Sequence, residues 1–171
     1  MLIREGEVSY LSRWFGKRLA KAFTPMILNN FRTMGALSRA FYERYGDEAL
    51  PIISRVMGEA GVEGAKIAQS RLRGEGMKAV GELFKMYEMF DLPVEIMELT
   101  EEMIHFRHAP PCPFGLEGTS KGLCKAVEAR GERMVSTILG EEAEAKIIKC
   151  VAAGDRYCEV IYAKSRGIQK K

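Results

Sequence analysis

The chain has 171 residues, of which 47% are hydrophobic and 29% charged, and its formal net charge is +3. A chain of this length buries roughly 70% of the surface its unfolded form would expose, so a hydrophobic core can hold it without disulfide or metal staples. The balance excludes a disordered chain, and so small a net charge without a concentrated basic stripe predicts no nucleic-acid partner.

In chain order, Val8, Leu11, Phe15, Leu19 and Ala22 recur at helical spacing and predict a first helix. Arg13, Lys17, Arg18 and Lys21 lie off that stripe near Trp14, as a solvated face, a dimer contact or a surface for anions. A second helix carries Ile27, Phe31, Met34, Phe41 and Tyr45 on one face. Gly46-Asp47 ends it, with Asp47 as an N-cap and Pro51 in the first turn of a third helix, where a missing N–H does least harm. That helix runs through Ile52, Ile53, Val56 and Met57 and continues past Gly58, Gly61 and Gly64. A fourth covers Met77 to Phe90, with Val80, Leu83, Phe84 and Tyr87 inward.

After Asp91-Leu92-Pro93 the period changes. Val94–Leu99 and Met103–His108 read as a hairpin turning at Thr100-Glu101-Glu102. Pro110-Pro111-Cys112-Pro113 is excluded from any strand or helix interior, because three of its residues lack an amide donor. A helix from Thr119, as N-cap, to Arg130 and a shorter one from Glu132 to Leu139, closed by Gly140, lead to a second hairpin, Ala145 to Ala163, turning at Gly154-Asp155. The tail Lys164 to Lys171 is basic and expected to fray. The predicted fold is α+β, with N-terminal helices packed on a small antiparallel sheet of two hairpins joined by a helical connection. One domain over 1–171 is expected: a helical part, 1–91, and a hairpin–helix–hairpin part, 92–163, that carries every cysteine.

The residues Met1 to Glu7 lack the positive, then apolar, order of a signal peptide. No apolar run nears the length of about 18 residues that spans a membrane. A cytoplasmic location is therefore expected, where thiols stay reduced.

Cys112, Cys124, Cys150 and Cys158 all fall in the last 60 residues of the chain. In the final hairpin, a three-residue loop would pair Cys150 with Cys158, Lys149 with Glu159 and Ile148 with Val160, whereas a two-residue loop would turn the cysteines to opposite faces. The first register joins opposite charges and β-branched neighbours, so it is preferred. A loop cysteine, Cys112, and a cysteine about a turn into a helix, Cys124, can converge on one point beside them. Four thiolates suit zinc or an iron–sulfur cluster. The separations contain no Cys-x-x-Cys, however, so burial as small hydrophobes and disulfide pairing stay open.

Cys112-Pro113-Phe114 and the segment from Cys150 through Gly154-Asp155 to Cys158-Glu159 resemble the C-terminal half of the 4-vinyl-reductase-type small-ligand-binding domains. The same pattern ends the L-2-amino-thiazoline-4-carboxylic acid hydrolase-like proteins, to which Arg44 to Leu50 and Leu123-Cys124 are also similar. The resemblance implies helices on an antiparallel sheet enclosing an apolar pocket, with matching cysteines that bind metal or, in the hydrolase-like group, do chemistry.

His105 and His108 are three apart on a strand and face opposite ways, so at most one can join Cys112 as ligand or base. Asp155 reads as a turn residue and Glu159 as a solvated partner of Lys149. Met77, Met86, Met89, Met97 and Met103 read as core, with a pliable pocket lining as the alternative. Three functions suit these residues. One is a small-molecule-binding domain with a zinc or iron–sulfur centre on Cys112, Cys124, Cys150 and Cys158, its partner a small apolar or heterocyclic molecule. The second is a hydrolase of a cyclic C–N bond, with Cys112 or a metal-bound water attacking and His108 as candidate base. The third is a non-catalytic homodimeric interaction protein with core cysteines.

Overall fold

The computed structural model describes residues 5–90, 92 and 94–165, without the side chains of 5–20 and 89. The basic face around Trp14, the side chain of Met89, Asp91, Pro93 and the tail from residue 166 lie outside the described residues.

Among the described residues, four α-helices and four strands make an α+β fold. They are α1 (Glu5–Tyr45), α2 (Leu50–Gln69), α3 (Gly76–Tyr87), β1 (Val94–Leu99), β2 (Met103–His108), α4 (Lys121–Leu139), β3 (Ala143–Lys149) and β4 (Cys158–Lys164). The sheet is antiparallel in the order β1-β2-β4-β3, so the two predicted hairpins join through β2 and β4. Alternation along the strands sends Ile104, Phe106, Val160 and Tyr162 to the helix-covered face. His105, Arg107 and Glu159 take the other face, where Glu159 accepts from both partners.

Two predicted boundaries are absent. The first two predicted helices are one 41-residue helix that contains Pro25; proline removes a single donor there, and among the described residues Gly46 is the first glycine with a positive φ. The helices predicted on either side of Gly131 are likewise one, α4, because Gly131 is a contact position rather than a terminus. Caps also shift by a residue or two. Ser120, not Thr119, caps α4 by accepting from Leu123 N at 3.1 Å, and α2 follows a 3-10 turn at Gly46–Ala49, in which Asp47 caps nothing. Gly140 closes α4 in the left-handed conformation, as predicted.

α2 and α4 pack closely because their shared face is made of small residues. A Cβ on Gly61 would overlap the Arg130 carbonyl, and one on Gly58 would meet Arg133 Cγ at 3.0 Å. The core between α2, α4 and the loop after β2 contains Ile53, Met57, Leu116, Leu123 and Val127 together with Cys112 and Cys150. A second core lies between α3, α4 and the sheet and is rich in aromatic rings. Of the predicted methionines, Met77 is core and Met97 is 42% exposed.

Candidate functional site

The four cysteines come from four different pieces of chain. The loop after β2 contains a cis Pro110–Pro111 bond; it turns at Gly115, whose N–H bonds the Cys112 carbonyl at 2.9 Å. Glu117 Oε1 accepts from Cys112 N at 2.6 Å, which holds Cys112 inward. Cys124 sits in the first turn of α4, its N–H bonded to the Ser120 carbonyl at 3.1 Å. Cys150 follows the last residue of β3 and is 1% exposed. Cys158 opens β4 opposite His108, and its Sγ accepts from Val151 N at 3.5 Å.

The register of the last hairpin is partly as predicted. Lys149 pairs with Glu159, but Ile147, not Ile148, lies opposite Val160, because a bulge places Ile148 outside the ladder. The connection is also longer than a three-residue loop. It contains a 3-10 turn at Val151–Ala153 and a left-handed Gly154. Asp155 is the turn residue expected, with its carboxylate accepting from Cys150 N at 2.7 Å. Glu159 is 8% exposed and held by His105 and Arg107, not solvated beside Lys149. The lysine reaches the Tyr157 hydroxyl instead, at 2.6 Å.

Cys112 and Cys150 nevertheless belong to one buried core cluster, with Cys124 packed against it. All four cysteines are free. Burial pushes the Cys124 thiol far up, with the neighbouring Cys150 adding to it. Burial likewise lifts Cys158 to about 11 and raises Cys112, against the pull of N–H groups at Leu116, Phe114 and Gly115. These three thiols are therefore held toward the neutral form, and among the described residues no three His, Cys, Asp or Glu side chains are placed to hold one metal ion. The pair that cysteine hydrolysis needs is also not formed: the buried His108 Nε2 has no hydrogen-bond partner.

Beside the sulfurs lies a cavity of about 140 Å³. Cys112, Cys124 and Cys158 reach its wall, whereas Met77, Met86, Met97 and Met103 do not; Met134 does. Six aromatic side chains, Phe31, Phe84, Tyr87, Phe106, Phe114 and Tyr162, stand on the wall. Phe84 and Phe106 have centroids 4.5 Å apart and Phe106 stacks on Tyr162 at 5.6 Å, while Phe31 of α1 meets Phe114 edge-on at 5.2 Å. α1 can approach because Gly35 carries no Cβ to overlap the Phe114 carbonyl.

The polar groups on this wall are few. Glu128 of α4 accepts a short hydrogen bond from the Tyr162 hydroxyl. Burial raises its carboxyl to about 7, with the Tyr162 bond opposing and Glu132 adding. Burial also lifts Tyr87 to about 12 and depresses His108, so its imidazole is neutral near pH 7. Sequence reading missed Glu128. Its signal was a single carboxylate on the apolar stripe Cys124, Val127, Gly131, Met134 and Val135 of one helix.

No family model matches the chain, and no curated protein matches it. Among solved structures, the crystal structure of the phenol-responsive sensory domain of the transcription activator PoxR, with phenol, is similar. It has a TM-score of 0.60 and 15% identity, covering 78% of this chain and 74% of that one. That likeness shows a shared fold.

Proposed function

We propose that the protein is a small-molecule-binding domain that takes a one-ring apolar molecule into the cavity between α4 and the sheet. The observation that carries this reading is the cavity itself, about 140 Å³ with a mainly apolar wall that includes six aromatic side chains. Apolar cavities of roughly 150 Å³ stay dry and accept benzene, so the space matches one ring and little more. Burying a ring there removes its apolar surface from water at about 25 cal/mol per Å². The phenol-responsive domain that shares the fold supports the same size class and a sensory role. Calorimetric titration with phenol and toluene tests it. Saturable one-to-one binding that raises Tm is expected, and it should vanish in Val160→Phe, whose ring fills the space. If neither compound binds up to its solubility limit while the protein is folded, the reading fails.

A second reading is favoured by the N–H groups that face two of the sulfurs, those of Phe114, Gly115 and Leu116 at Cys112 and of Val151 at Cys158. Such donors stabilise thiolates, and four thiolates suit zinc or an iron–sulfur cluster. Among the described residues no three donors are placed around a single ion, so this reading requires the sulfurs to close together as thiolates. Elemental analysis of anaerobically purified protein, with Cys150→Ser as control, tests it.

A further inference from the structure

We propose that the cavity selects ligands bearing a protonated amino group, which the Glu128 carboxylate receives beside the aromatic rings. This inference rests on the cavity being a ligand site, and it adds the class of ligand.

Three observations lead to it. The first is a carboxyl group without a counter-charge. Glu128 lines the cavity, and among the described residues no cation pairs with it; its bond is to the Tyr162 hydroxyl. Arg130 also lines the cavity, but its guanidinium lies over the Phe31 ring, 5.5 Å from the centroid, and donates to the Ala60 carbonyl at 3.1 Å. A buried carboxylate is costly without a partner, so a ligand that brings a positive charge gains what the protein leaves unfilled.

The second is a second acceptor on the same wall. His108 Nε2 is buried without a partner, and a backbone hydrogen bond at Ala109 occupies the other ring nitrogen. The neutral ring therefore keeps one acceptor unused on a residue of the cavity wall. An ammonium has three donors to offer such a wall, a hydroxyl one.

The third is the surroundings. The faces of Phe84, Phe106 and Tyr162 form one ring cluster beside Glu128, and aromatic faces attract cations most when water is excluded. The site is also built: a Cβ on Gly131 would overlap the Tyr162 hydroxyl and come within 2.7 Å of Glu128 Oε1. Only glycine there lets the tyrosine and the glutamate meet.

Benzylamine, benzyl alcohol and benzoate share a ring and nearly a shape but differ in charge, so they separate this inference from the simpler one. With the full chain at pH 7, calorimetry should find benzylamine bound at least tenfold more tightly than benzyl alcohol, and benzoate not bound. Glu128→Gln should abolish that preference, so that benzylamine binds no more tightly than benzyl alcohol. Benzyl alcohol binding as well as benzylamine in the unmutated protein would overturn the amine inference and leave the cavity reading intact, whether or not the variant folds. Binding of none of the three would overturn both.

Discussion

Replacing Glu128 by glutamine should flatten the pH dependence of stability. The carboxyl titrates near 7 in the folded chain against an ordinary 4.5, chiefly because it is buried. One pKa unit corresponds to 1.36 kcal/mol, so the shift is worth about 3 kcal/mol of proton-linked stability. The folded pKa lies above the unfolded one, so between the two values the native state holds more protons. This contribution is fully present below pH 4.5 and is lost as the pH rises through 7. Glutamine keeps the acceptor for Tyr162 and cannot ionise. Urea unfolding followed by circular dichroism at pH 4.5, 5.5, 6.5 and 7.5 measures the difference. The unmutated protein should lose about 3 kcal/mol relative to the variant across that range. Parallel curves, within the uncertainty of the extrapolation, would refute the claim that Glu128 is buried without a compensating charge.

Two further outcomes follow from packing and from the thiols. Gly61→Ala should destabilise by about 1–3 kcal/mol, since its Cβ overlaps the Arg130 carbonyl and pushes α2 from α4. Gly64→Ala meets only Arg130 Nη2 at 3.6 Å and Met134 Sδ at 3.7 Å, so it should stabilise by up to about 1 kcal/mol through helix propensity. Chemical denaturation of both variants checks the pair, and equal effects would show that the helix contact is not tight. The raised thiol pKa values of Cys112, Cys124 and Cys158 predict slow labelling by iodoacetamide at pH 7.5 in the native protein. All four thiols should react at once in denaturant, and a rapidly labelled native cysteine would contradict the burial argument.

Much of the fold was legible because it is written in local pattern. The hairpin Val94–His108 falls where period-two alternation and the Thr100 turn put it. Gly140 ends α4 as a left-handed residue should. The break predicted near Gly131 is absent because a glycine announces a break only when no neighbour needs its missing side chain. Gly131 marks where Tyr162 and Glu128 approach the helix, and Pro25 is carried inside a helix. Ile148 lies outside the ladder because of a bulge, which alternation alone does not signal.

The candidate site divides in the same way. Cysteine positions, the Asp155 turn and the opposite facing of His105 and His108 follow from residue order and strand period, since those are short-range properties. Tertiary structure alone decided that a glutamate on α4 meets a tyrosine on β4, 34 residues away, and that aromatic rings from α1, α3, β2 and β4 enclose one space. Such meetings depend on how closely two helices and a sheet can approach. The glycines at 35, 61 and 131 govern that distance, through the side chains they lack.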